Sequence, residues 1–234
     1  MGSAGSVPHA FGQGRTHYAL SVAWIDTRGK ALILELLVVY AAIQVALWTS
    51  GTVRAVAMAS AWVGVLGSVL AERVSASELG LGREGLRASL WILPAALALL
   101  GVTVLIGWLC DSLHGLAGEA LWRRIPGYLP WAFAQQFAAQ CFFFRRLETL
   151  AGNGHAAVLM TSLLFAGAHL PNPVLVPATL LAEVLWTLAY RRYRNLYAIS
   201  IAHALLAVAV TVAVPDSWHH HMRVGIGYFR YLAQ

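Results

Sequence analysis

Apolar residues run along this chain in long blocks, and the few polar side chains inside those blocks stand out against them. Seven blocks read as helical spans, over about 31–50, 54–71, 88–109, 127–147, 156–170, 173–190 and 196–214. A helix crossing a hydrocarbon core needs about 20 mainly apolar residues, so the pattern predicts an all-α, polytopic transmembrane helical bundle of seven or eight spans. The fifth block is short and reads as a tilted or partly re-entrant helix. An amphipathic stretch from His17 to Asp26 predicts an interfacial helix or an eighth element. In the polar loop 72–87, Ser77, Glu78 and the glycines after them predict a second short interfacial helix. The chain thus divides into a polar N-terminal segment (1–30), a membrane domain (31–214) and a C-terminal tail (215–234). No internal repeat is visible, which speaks against a transporter built from inverted halves.

The polar intruders come next. Gln135, Gln136 and Gln140 lie in the fourth block, His169 ends the fifth just before Pro171-Asn172-Pro173, and His203 sits in the middle of the last. Polar groups inside a membrane are costly unless they face a bundle interior or a wet cavity. Three neighbouring spans that each carry them predict one shared site. Gln136 and Gln140 share a helix face. Glutamine has no ionisable group, so it can orient water or a carbonyl but cannot act as a base. Interhelical hydrogen bonding is the plainer use of such glutamines. Glu183 is a carboxylate inside the sixth block, and Glu148 ends the fourth. Glu35 in the first reads as a headgroup-level partner of Lys30.

Composition narrows the class. The chain is 59% hydrophobic and 11% charged, against about 25% charged in soluble domains. Its net charge of +6 comes from short basic clusters between apolar blocks, a topogenic pattern rather than a nucleic-acid-binding one. With the N-terminus cytoplasmic, eleven of the 16 basic residues fall on the inner side, as the positive-inside rule asks. Met1-Gly2 with Ser6 fits a myristoylation pattern. Two distant cysteines, Cys110 and Cys141, give no disulfide framework. Cys141 could serve as a nucleophile with a histidine base, though membrane cysteines are mostly inert. His169 and His203 with a carboxylate could hold a metal, but no HExxH-like spacing supports it. The run His219-His220-His221 makes a weak single site, because consecutive residues point in different directions.

In these residues the sequence resembles the CPBP family of intramembrane proteases, which includes the type II CAAX prenyl endopeptidases and is also called the Abi family. The resemblance covers about 127–210. Phe165-Ala166-Gly167-Ala168-His169 stands as the family's Phe-x-x-x-His, and His203 to Ala207 as its His-x-x-x-polar motif. Gln135 and Gln136 occupy the Glu-Glu positions, Gln140 the arginine position, and Ala207 the final polar position. The resemblance implies that Gln136 stands where the water-activating base belongs, with Gln135 beside it. It implies that His169 assists the water and His203 faces the developing oxyanion, with Asn172 close by and Arg145 or Arg146 replacing the missing arginine. His169, Glu183 or Glu148 would then replace the base. The implied protein is a multi-pass enzyme of a bacterial plasma membrane that needs no cofactor and cleaves a membrane-associated peptide or protein. The alternative is an inactive member that binds such a partner in the bilayer.

Overall fold

The computed structural model describes residues 27–114 and 119–233, with side chains of the helix opening at Glu119 described from residue 127 onward. The chain runs α1 (Thr27–Trp48), α2 (Gly51–Ala71), one-turn α3 (Leu86–Ser89), α4 (Ile92–Leu109), α5 (Glu119–Gln136), a π-helical segment (Phe137–Phe144), α6 (Arg145–Ala151), α7 (Gly154–Gly167), α8 (Leu175–Tyr193), α9 (Leu196–Ala213), one-turn α10 (Asp216–His219), a 3₁₀ turn (His220–Met222) and α11 (Ile226–Leu232). It is all-helical, and among the described residues there is no strand. Among the described residues, four stretches are long and apolar enough to cross a bilayer: Thr27–Trp48, Gly51–Ala71, Leu86–Leu109 and Leu196–Ala213. The fifth block becomes the 14-residue α7. The glutamines of α5 and the terminal Arg191 and Arg192 of α8 dilute the other two.

The chain reverses at two separate ends. At one end, Trp48 packs on Phe229, Arg230 donates to Ser50, and the Gly225 N–H donates to the Leu170 carbonyl at 2.7 Å. At the other, Arg145 and Arg146 meet Glu72, Arg191 and Arg194 meet Glu148, and the Leu196 N–H reaches the Gly80 carbonyl. Asparagines start two helices: the Asn153 side chain accepts the His155 and Ala156 N–H groups, and Asn195 those of Tyr197 and Ala198. Such caps satisfy N–H groups that have no partner within the helix. Phe142, Phe144, Tyr190, Leu196 and Ile199 are fully buried in the core, while Leu37, Val63, Leu70, Leu181 and Leu185 stay exposed on the outside. That inversion of a soluble protein's surface suits a lipid solvent. This is an integral membrane protein.

Several expectations change here. The loop after α2 forms hydrogen-bonded turns over 75–81, with only α3 becoming helical. Glu35 pairs with Arg146 at 2.8 Å rather than with Lys30. Residues 215–233 pack back onto the bundle, where Gly225, at φ +55, crosses the Leu47 carbonyl too closely for a side chain. The amphipathic stretch His17–Asp26 and the Met1-Gly2 pattern lie outside the described residues.

Candidate functional site

The π segment begins directly after Gln136. Such insertions re-aim side chains and recur at functional sites. Here it sends Gln136 and Gln140 inward as a pair, the Gln140 Nε2 lying 3.2 Å from the Gln136 Oε1. Both reach across to α8. Gln136 Nε2 donates to Glu183 Oε2 at 2.8 Å, and Gln140 Nε2 donates to Glu183 Oε1 at 2.7 Å. Thr187, one turn along, adds its hydroxyl to Oε1 at 3.3 Å. Gln136, Gln140, Glu183 and Thr187 are all fully buried. Both oxygens of the one carboxylate are therefore held by neutral donors, while the Gln140 Oε1 has no partner among the described residues.

His203 joins this cluster from α9. Its Nδ1 lies 3.4 Å from Gln136 Nε2, and its ring stacks on Trp186 at 4.5 Å. An amide nitrogen can only donate, so the His203 Nδ1 accepts and the proton of the neutral ring resides on Nε2. His169 ends the helical part of its motif with Nδ1 at 2.8 Å from the Phe165 carbonyl. A carbonyl can only accept, so here Nδ1 carries the proton and Nε2 keeps a lone pair. The Phe165 ring touches both histidines, with centroids 5.0 Å from His169 and 5.8 Å from His203. Both line one cavity of about 580 Å³, together with Gln135, Ala207, Met222 and Val224 and a mostly apolar wall. One histidine thus brings an acceptor to the cavity and the other a donor.

The other sequence candidates fall elsewhere. Gln136, Gln140 and Glu183 sit behind the cavity wall rather than in it. Asn172 is fully buried and satisfied: it accepts the Val174 and Leu175 N–H groups and donates to the His219 and Arg223 carbonyls. It is a clamp on the C-terminal segment. Arg145 and Arg146 do not stand in for the missing arginine, because the register after the π segment turns them toward α1 and α2. Arg146 is buried between Glu35 and Glu72 and over the Phe142 ring, and Arg145 lies 3.7 Å from Glu72. Glu148 is taken by arginines at the bundle end. Cys141 donates to the Leu79 carbonyl and lies beside Tyr190, with no histidine partner, so the nucleophile reading fails on geometry. Glu183 presents its oxygens to glutamines and not to both histidines, so the His169–His203–carboxylate metal grouping is not assembled. Sequence reasoning missed Trp186 and Thr187. Their spacing from Glu183 along one α8 face was the available signal.

The fold and site define a polytopic α-helical membrane protein whose polar residues converge on an internal cavity. Residues 113–209 match the family model of the type II CAAX prenyl endopeptidase Rce1-like proteins, so this part of the chain is similar to that family. The match takes in His169 and His203, the three glutamines Gln135, Gln136 and Gln140, and Glu183. No curated protein and no solved structure matches the chain significantly.

Proposed function

We propose that this protein is an intramembrane endopeptidase that hydrolyses a peptide bond in a membrane-associated substrate, with His169 as base. The observation that carries this reading is the pair of complementary histidines on one cavity. The cavity-lining residues include no carboxylate, so His169 Nε2 is the available acceptor of a water proton. The water oxygen then attacks the carbonyl carbon, and the carbonyl electron pair moves onto its oxygen, where His203 Nε2–H donates to it. As the C–N bond breaks, the proton held by His169 passes to the departing amine. Glu183 acts at one remove. It fixes the Gln136 amide, which in turn holds the His203 tautomer, so Glu183 and Gln136 are positioning residues. The apolar wall suits a substrate with an apolar segment or tail.

A second reading has its own support: the residues in the glutamate positions are amides, and Glu183, the carboxylate bound to them, is fully buried and absent from the cavity lining. On that reading the protein binds a membrane peptide or partner without cleaving it. A cleavage assay in liposomes on membrane-tethered peptides separates the two, with wild type beside His203→Ala, His169→Ala and Gln136→Glu. Wild-type cleavage lost in both histidine variants supports the protease. A silent wild type with cleavage gained in Gln136→Glu establishes the binder. The distribution of basic residues supports a cytoplasmic N-terminus, testable by reporter fusions at the two ends.

A further inference from the structure

His203 is held from more than one side, and the restraints are unequal. Gln136 meets one edge of the imidazole, with its Nε2 at 3.4 Å from Nδ1. An N–H donor bond normally spans about 2.7–3.2 Å. This longer contact selects the tautomer but restrains the ring weakly. Trp186 meets the face. The two ring centroids are 4.5 Å apart and the planes are inclined by 22°, at the close end of the range for paired aromatics, about 4.5–7 Å. Phe165 abuts the ring edge-on, with its plane at 74° to the imidazole. A gap of about 0.5–1 Å already forfeits a quarter to a half of a van der Waals contact. A ring faced on one side and abutted on another therefore has a defined plane.

One helix supplies most of this. Glu183, Trp186 and Thr187 stand at i, i+3 and i+4 of α8 and share a face. Glu183 and Thr187 hold the glutamines, and through Gln136 they reach the edge of His203. Trp186 reaches its face directly. Trp186 is only 6% exposed, and it lines the same cavity as His203. A donor to a developing oxyanion works only in a narrow geometry, about 2.7–3.1 Å from the charge, so the plane of this ring matters as much as its tautomer.

We propose that Trp186 is a positioning residue whose indole face sets the plane of the His203 ring, so that Nε2–H is aimed at the substrate carbonyl. The catalytic consequence rests on the protease reading; the restraint on the ring does not. The test uses the full chain in lipid nanodiscs, with nitrogen-15 in its histidine rings, and sets Trp186→Met and Trp186→Phe beside wild type. Methionine is apolar and flexible but cannot stack; phenylalanine can. His203→Ala identifies the His203 signals by their loss, and size-exclusion profiles check folding. Wild type should show one His203 tautomer, with its proton on Nε2. Trp186→Met should broaden that signal or mix in the Nδ1–H form, Trp186→Phe should restore it, and the His169 signals should stay in place. In the liposome assay on membrane-tethered peptides, Trp186→Met should lose about 10–100-fold in kcat, as misplacing a catalytic group by ~1 Å can, with KM within about twofold. Trp186→Phe should recover most of that loss. An unchanged His203 signal in Trp186→Met overturns the proposal, as does a wild-type ring already exchanging between tautomers. A loss falling on KM alone overturns it by making Trp186 a wall of the cavity. His169 signals that move together with those of His203 overturn it by marking general repacking. A silent wild type with the His203 signal disturbed as expected removes the protease reading and supports the positioning role.

Discussion

Two buried polar clusters meet the continuous α5–α6 helix a few residues apart, one through Gln136 and Gln140 and the other through Arg146, and they are built on opposite principles. Around Arg146 the charges are matched. The guanidinium reaches Glu35 at 2.8 Å, Glu72 at 2.7 Å and the Phe142 carbonyl at 3.3 Å, over an aromatic face. Around Glu183 there is a single carboxylate held by neutral amides and a hydroxyl, and the cluster passes outward through Gln136 to His203 and the cavity. The first set of donors is spent on fixing α1 and α2 to α6. The second leaves atoms over: the His169 lone pair and the Gln140 Oε1. A satisfied cluster is explained by stability. A cluster with spare donors and acceptors beside a cavity has capacity for chemistry.

The largest expected effect separates the two at once. His169→Ala should lower cleavage by about 10²–10⁴-fold, the usual worth of a general base, and leave the thermal midpoint within a few degrees of wild type. Cleavage rates and unfolding curves on the same preparation check this. Arg146→Met should do the reverse. Removing one partner of a buried pair typically costs about 3–5 kcal/mol. Glu35 and Glu72 are each about a third exposed, so about 3 kcal/mol is expected. Denaturant unfolding should show that loss while cleavage per folded molecule stays near wild type. If Arg146→Met instead removed activity without loss of stability, the division between the clusters would collapse.

The same comparison shows what was legible in the sequence. The helices were, because apolar runs announce spans: the block read as 54–71 appears as Gly51–Ala71 and that read as 196–214 as Leu196–Ala213. The convergence of Gln136 and His203 was legible too, since polar groups in neighbouring spans have few places to go. The Arg146 network was not. Its partner Glu35 lies 111 residues away, a pairing that no local periodicity encodes. Nor was the π segment, whose inserted residue turns Arg145 and Arg146 off the glutamine face. Asn172 looked open between two prolines because its acceptors belong to the C-terminal segment, which the sequence presents only as a tail.

Glu183→Gln sharpens the comparison at intermediate size. It removes the ionisable group but keeps the shape, so it asks whether the carboxyl group acts by itself or by holding Gln136. Outer partners that set a histidine's orientation matter by about 10–100-fold. The variant should therefore lose about tenfold in kcat with little change in KM. The acidic limb of its pH profile should stay where wild type has it, because the proposed base is His169. A shift or loss of that limb would make Glu183 the titrating base and His169 its helper.

The smallest effect concerns a carboxylate held by neutral donors in water. Ser75 and Glu78 form a reciprocal pair: the Ser75 hydroxyl and N–H both donate to Glu78 Oε2, at 2.7 and 3.0 Å, and the Glu78 N–H returns to the Ser75 Oγ. The hydroxyl first, and then the backbone N–H, hold the Glu78 carboxyl below its ordinary range. A carboxyl lowered on folding contributes its stability above the unfolded value, about 4.3, and loses it as pH falls through the folded one. The difference in thermal midpoint between wild type and Ser75→Ala should therefore be constant from about pH 7 to 5 and shrink toward zero below about pH 4. The shift is expected to be small, since the pair is fully solvated. A difference that instead grew on acidification would mean that the pair is held by the neutral carboxyl. Amide and hydroxyl donors would then be too weak to fix a carboxylate in water, and the buried Glu183 would owe its hold on its neutral partners to exclusion of solvent alone.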